Sequence, residues 1–351
     1  MGESGMNDCV GWDLGGAHLK AVWVRDGRVL RVWQVPCPLW QGTDRLMEAL
    51  QSLLTLLPSR CRHGLTMTGE MVDLFPSRHE GVKVILKTFK SLIANEDPRI
   101  FMGSQLIPLS ILTNKNYNKI ASNNWQITQH WLAQQCPDTL LVDIGSTTTD
   151  LAPIVSSQPA CLGSDDHSRM RHGELLYMGV LRTPLMALAG QVPFEGEWVP
   201  LMAEHFASTA DVYRILGQLP AHIDQGETAD GGPKTGSASI VRLARMVGAD
   251  REDAPDEAWQ RLAAGIREIQ LQRLTSGCMR LLSRTHQKLT TLVGAGVGRF
   301  LMPEVARRLE LTYYDFGDHL IGAEVEHGDF SPADCAPAAA LALLLDLHFR
   351  Q

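Results

Sequence analysis

Apolar residues alternate or run together over residues 8–14, 20–24 and 28–35, and Asp26-Gly27 supplies a hairpin signal between the last two stretches. Three antiparallel strands are therefore expected at the start. The period then becomes helical over 43–57, with Thr43 or Asp44 as N-cap and Pro58 past the end. A short strand over 65–70, a helix over 82–93, a strand over 99–107 and a helix over 117–134 follow. That order, β-β-β-α-β-α-β-α, predicts a ribonuclease-H-like half over residues 8–136. A second half, residues 137–335, opens with strands at 139–143 and 150–154. It continues with a polar loop over 155–172, a strand over 174–180 and helices over 208–216, 237–247 and 256–284. A strand over 288–293 and a helix over 303–309 complete it. The apolar helix expected over 336–348 would pack back on the first half.

The densest chemistry interrupts this pattern at 140–151, LLVDIGSTTTDL. A buried strand runs into Asp143, and Gly145 permits a tight turn. Ser146, Thr147, Thr148 and Thr149 then bring hydroxyls and backbone N–H groups to one place, a cradle for phosphate-like oxygens. Asp143 and Asp150 are unsuited to a bare anion and suited to a divalent cation that itself holds the anion. The alternative is a polar turn with no ligand. The order Asp, apolar, Gly, small recurs at Asp13-Leu14-Gly15-Gly16, about 130 residues earlier, so a duplicated domain with a cleft between its halves is expected. His18 and Lys20 follow the first turn, and Lys20 favours a polyphosphate over a sugar.

Composition narrows the class. The 351 residues are 44% hydrophobic and 20% charged, with net charge −7, which suits a globular protein of two domains and gives no basic face for nucleic acid. No apolar run of about 18 residues predicts a membrane span, and the polar start at 1–7 lacks the core of a secretory signal. Seven scattered cysteines without a CxxC pair point to a reducing, cytoplasmic setting.

Other candidates are weaker singly. Gly294-Ala295-Gly296-Val297-Gly298 follows a strand but lacks the GxGxxG spacing; it either seats a nucleotide or is a packing turn. Thr66, Thr68, Glu70 and Asp73 end a strand, where α/β sites lie, unless Thr68 and Glu70 simply cap a helix. Glu174 and Arg182 flank the expected return strand. Asn123 and Asn124 are poor mid-helix residues, which suggests a polar role near the cleft. The histidines make no HxxxH or HExxH pattern, Cys161 has no local base, and GxSxG is absent.

The stretches GWDLGGAHLKA and LLVDIGSTTTDLAPI resemble the superfamily of acetate and sugar kinases, heat-shock ATPases and actin. Residues 66–73, 173–184, 209–214, 228–231 and 242–246 resemble its hydantoinase A/oxoprolinase-related branch, and within it the tetrahydromethanopterin-linked one-carbon pathway proteins of methylotrophs and methanogens. One departure is His18, where a smaller polar residue is expected. The resemblance implies an α/β fold of two ribonuclease-H-like domains around a cleft. It also implies a transferase of methanofuran or methylofuran biosynthesis, joining an aminomethylfuran methyl diphosphate to the phenol oxygen of γ-glutamyltyramine or tyramine and releasing diphosphate. On this reading Asp13, Asp143 and Asp150 hold Mg²⁺. Lys20 and the turns at Gly15, Gly16, His18, Gly145, Ser146, Thr147 and Thr148 hold the diphosphate, with Gly294 and Gly296 beside it. Glu70 or Glu174 takes the phenol proton, and Arg182 holds the diphosphate or the glutamyl carboxylate. The partners would be small molecules only, and the oligomeric state stays open, a homodimer included. An ATP-dependent kinase or amidohydrolase, with adenosine at 294–298, is the rival enzyme reading. A non-catalytic sensor would be expected to lack the acidic pair.

Overall fold

The structure is a computed structural model, and it describes residues 8–93, 97–285, 288–317 and 330–350; the polar start at 1–7 lies outside them. The chain opens with three antiparallel strands, β1 (Asp8–Leu14), β2 (His18–Arg25) and β3 (Arg28–Pro36). β1 is buried along its whole length, which is why it reads as an apolar run. Helix α1 (Asp44–Leu54) leads to β4 (Arg62–Met67), and α2 (Arg78–Leu92) leads to β5 (Arg99–Met102). Ser77 starts α2 by accepting from the Glu80 amide. The single strand expected over 99–107 is a hairpin, because Gly103 at φ +69° turns the chain into β6 (Gln105–Pro108). Helix α3 (Asn124–Ala133) starts later than expected: residues 114–119 form a separate 3₁₀ turn, and Ser122 at φ +49° cannot continue an α-helix.

The second hairpin is β7 (Thr139–Ile144) with β8 (Thr149–Val155), to which the two-residue β9 (Gln158–Pro159) adds. The stretch expected to be loop contains helix α4 (Asp166–His172). Asp165 and Ser168 form a capping box at its start, and Gly173 at φ +72° ends it. The strand expected over 174–180 shrinks to β10 (Leu175–Leu176), because the residues after it leave the sheet to buttress the β7–β8 turn. There the Val180 and Leu181 amides donate to the Gly145 and Ser146 carbonyls at 3.2 and 3.1 Å. Then come α5 (Leu185–Leu188), the hairpin β11 (Gln191–Phe194) and β12 (Glu197–Pro200), α6 (Thr209–Ile215), α7 (Gly236–Met246) and α8 (Asp256–Arg284). β13 (Thr291–Ala295), α9 (Met302–Arg308), β14 (Thr312–Asp315) and α10 (Ala336–Arg350) complete the chain. Pro193 and Pro200 mask the alternation of β11 and β12, and β14 is too short to stand out.

The first sheet has the order β3-β2-β1-β4-β5-β6 and the second β10-β8-β7-β13-β14. In each, an antiparallel hairpin is followed by parallel neighbours: β4 beside β1 and β5 beside β4, then β13 beside β7 and β14 beside β13. The ribonuclease-H-like pattern thus occurs twice, as in actin-like α/β proteins. One face of the first sheet, with Trp12 and Leu65, is covered by α1 and α2. Its other face, with Val22 and Val24, joins α3, α10 and the second sheet in one continuous core. Helix α10 lies on β1, β2 and β4. Gly11 makes that approach possible, since a Cβ there would stand 2.2 Å from the Ala338 carbonyl. Among the described residues no helix is long and apolar enough to cross a membrane.

Candidate active site between the two sheets

A cavity of about 530 Å³ opens between the two sheets, and Asp13 and Asp143 both line it. Each aspartate is the last residue but one of a strand, β1 or β7. Each is followed by the same tight turn, closed by Gly15 N donating to His18 O at 3.1 Å and by Gly145 N donating to Thr148 O at 2.8 Å. Gly15, Gly16, His18, Gly145, Ser146, Thr147 and Thr148 all face the cavity, together with Lys20, Asp150 and Arg182.

Asp13 is 2% exposed, and its Oδ1 has no hydrogen-bond partner among the described residues. Its Oδ2 accepts from Asn124 Nδ2 at 3.4 Å and lies 3.9 Å from Lys20 Nζ. Burial raises its pKa, while Lys20 and Asn124 pull it back. Asp143 is pushed up to about 7, first by desolvation and then by the nearby Asp150 carboxylate, with Lys20 opposing. Burial works against the charge of Lys20, but Asp13 and Asp143 more than restore it and raise its pKa. His18 is held down to about 3 by burial and by the Lys20 and Arg182 charges, so its imidazole is neutral at pH 7.

The structure corrects two expectations, for Glu174 and for Gly294 and Gly296, and qualifies two others. Glu174 is 0% exposed and does not reach the cavity; it accepts from the Leu162 and Gly163 amides at 2.7 and 2.9 Å and pairs with Arg284, holding a loop closed. It is no candidate base. Gly294 and Gly296 do not line the cavity either. Gly294 packs under Tyr313 and Met302, and Gly296, at φ +79°, backs Asp143: a Cβ there would lie 2.3 Å from Asp143 Oδ1. Asp150 does face the cavity, but one of its oxygens accepts from Arg169 Nη1 at 2.7 Å. Glu70 lies just behind the cavity wall rather than on it.

Several site residues are not evident from sequence. Arg169 is 1% exposed, stacks 3.8 Å over the Trp125 ring and donates to Asp150 and to the Glu174 carbonyl. Ser122, Asp166 and Tyr177 also line the cavity. Like the Arg169–Trp125 stack, two further contacts among the described residues bridge the cleft: Arg78 Nη2 donates to Asp166 Oδ2 at 2.6 Å, and the Arg182 guanidinium sits 5.1 Å from the Trp40 ring centre. The helix-poor asparagines were the one signal in this region. Asn124 reaches Asp13, whereas Asn123 donates to the Lys119 carbonyl at 3.3 Å.

Residues 63–319 match the hydantoinase/oxoprolinase family. The (4-{4-[2-(gamma-L-glutamylamino)ethyl]phenoxymethyl}furan-2-yl)methanamine synthase of Methanocaldococcus jannaschii is 31% identical over 249 residues, which are 71% of this chain and 74% of the relative. The protein of the same description from Methanococcus vannielii is 36% identical over 111 residues, 32% of this chain and 50% of the relative. Among solved structures, nucleotide-free acetone carboxylase aligns with a TM-score of 0.56 at 12% identity, over 87% of this chain and 68% of that one, a likeness of fold.

Proposed function

The chain belongs to the hydantoinase/oxoprolinase family, and we propose that it is a transferase that joins an aminomethylfuran methyl diphosphate to the phenol oxygen of tyramine or γ-glutamyltyramine, releasing diphosphate. The observation that carries this reading is a lysine 3.9 Å from Asp13 in a cavity that Asp143 and the two glycine turns also line, in a chain related to the furan-methanamine synthase.

The substrate's own chemistry assigns the tasks. The furan oxygen stabilises positive charge at the exocyclic carbon as the C–O bond to diphosphate breaks, so the larger demand is to stabilise the departing diphosphate. Lys20 is a fixed cation for it. The Ser146–Thr148 amides and the neutral His18 ring supply donors, and Arg182, whose amide donates to the Ser146 carbonyl at 2.9 Å, adds a planar guanidinium. The phenol oxygen attacks the freed carbon.

Mg²⁺ suits this donor set. Asp13 Oδ1 is buried without a partner, and Asp143 has a carboxylate on the same cavity. No group of three or more metal-ligating side chains occurs among the described residues. The site thus favours a cation that takes one or two protein carboxylates and completes its shell with water and phosphate oxygens. When bound, Mg²⁺ would neutralise leaving-group charge.

The test is incubation with the furan methyl diphosphate and tyramine or γ-glutamyltyramine. Diphosphate should appear in step with the aryl ether. ADP formed in step with product, or ether formed without diphosphate, would overturn the reading.

A further inference from the structure

Behind the cavity wall lies a buried carboxylate. Glu70 is 1% exposed; its Oε1 accepts from Ser122 Oγ at 2.5 Å, and its Oε2 has no hydrogen-bond partner among the described residues. A buried carboxyl with one unsatisfied oxygen is costly. Its partner Ser122 is costly as well, since φ +49° is a left-handed conformation that side chains other than glycine rarely adopt. Ser122 nevertheless lines the cavity and presents its hydroxyl between the cavity and Glu70. Asp166, which is tied to Arg78, also lines the cavity. One hydroxyl thus links the cavity to a sequestered carboxylate.

We infer that Ser122 and Glu70 are the proton outlet of the transfer: Ser122 Oγ takes the phenol proton of the acceptor as its own proton passes to Glu70 Oε1. The inference rests on the acceptor being a phenol, as proposed above. The bonds balance. The phenol O–H breaks, its oxygen bonds the furan methylene carbon, and the C–O bond to diphosphate breaks with its electron pair leaving on diphosphate. Ser122 ends unchanged, with one hydrogen exchanged, and Glu70 ends as the acid. Ser122 touches substrate; Glu70 acts through it. Arg78 from α2 and Asp166 from α4 are the charged groups that face Glu70. Burial pushes Glu70 up to about 7, against the Ser122 hydrogen bond and Arg78, and Asp166 adds to the rise. A base in that range is better matched to a phenol than an ordinary carboxylate is.

Ser122→Gly is the cleanest variant, because it deletes the hydroxyl while relieving the backbone strain. Glu70→Gln keeps the shape and removes the base. Each would be assayed with tyramine and with ring-fluorinated tyramine, whose phenol is ionised without help at mildly alkaline pH. With tyramine, kcat should fall about 100-fold in both variants while KM for the furan diphosphate changes less than about threefold. With the fluorinated acceptor the loss should shrink to within about fivefold of wild type. Equal losses with both acceptors, in a wild-type background that releases diphosphate normally, would overturn the relay and leave the transferase reading standing. A wild-type enzyme that releases no diphosphate with either acceptor would overturn the transferase reading, and the relay with it.

Discussion

Asp143 and Asp150 stand directly opposite each other across the β7–β8 ladder. The equivalent positions of the β1–β2 ladder hold Asp13 and Lys20. The two hairpins share their turn geometry, yet one places a cation where the other places a second carboxylate. Arg169 makes good the difference by binding Asp150 from α4. The cavity floor therefore carries three carboxylates, with Lys20 and Arg169 distributed asymmetrically between them. An asymmetric floor of this kind favours one orientation of a charged substrate over its reverse.

Asp143→Asn keeps the shape of this floor and removes one charge from it. Turnover should fall by about 3 kcal/mol of transition-state stabilisation, or roughly 100-fold, the scale of one lost electrostatic contact. The Mg²⁺ concentration needed for half-maximal rate should rise. Steady-state rates across a Mg²⁺ titration check both. Wild-type turnover with an unchanged Mg²⁺ requirement would exclude Asp143 from the metal and diphosphate site.

The duplicated fold was legible because the apolar run into Asp143 and the Asp-apolar-Gly-small turn at Asp13 are local signals. Each is set by a strand and its own turn. The rest of the site is made by distant segments. Arg169 and Asp166 lie on a short helix whose polar sequence reads as loop, and only their packing against Trp125 and Arg78 gives them a place. Glu174 shows the converse. Its position near a strand end suggested the cleft, but the side chain turns inward to two loop amides and Arg284. Sequence spacing does not specify on which side of a two-residue strand such a carboxylate falls. The glycine cluster misled for a related reason: Gly296 is required by the carbonyl of Ile144 and the carboxylate of Asp143, a close approach that need not involve any ligand.

That close approach can be tested directly. A Cβ at Gly296 would stand 2.2 Å from the Ile144 carbonyl oxygen and 2.3 Å from Asp143 Oδ1, at a backbone φ of +79°. Gly296→Ala should destabilise the fold by on the order of 2 kcal/mol or more and lower activity beyond the loss of folded protein, because Asp143 is displaced. Gly190→Ala is the control, since nothing lies within 4 Å of its Cβ position. Thermal melts and specific activities of the two variants decide the point, and matching behaviour would remove Gly296 from the support of Asp143.

Glu70 should leave a mark on stability as a function of pH. Burial, the largest cause, raises its pKa from 4.5 to about 7, so the folded state binds this proton more tightly than the unfolded chain does. Its contribution to stability is fully present below about pH 4.5 and is lost as pH rises through about 7. Over that window the loss amounts to on the order of 3 kcal/mol at most. Glu70→Gln cannot titrate, so the wild-type melting temperature should decline relative to the variant between about pH 5 and 8. Parallel curves over that range would show that Glu70 is not an acid held neutral by the fold.

Lys20 separates a transferase from a kinase. Its ammonium lies 3.9 Å from Asp13 Oδ2, on the strand that leaves the first turn, and Asp143 also supports its charge. A diphosphate ester carries several negative charges, and one divalent cation does not neutralise them all. Charge on the leaving oxygens grows as the C–O bond breaks, so a fixed cation contributes most in the transition state. Lys20→Met should therefore lower turnover more than it weakens binding of the furan diphosphate. Inorganic diphosphate should compete with that substrate in the wild type, and do so more weakly in the variant, while ATP is neither consumed nor required. Pre-steady-state binding and turnover measurements distinguish the two effects of the lysine. Stoichiometric ADP formation coupled to product would shift the assignment to an ATP-dependent kinase or amidohydrolase acting in the same cleft.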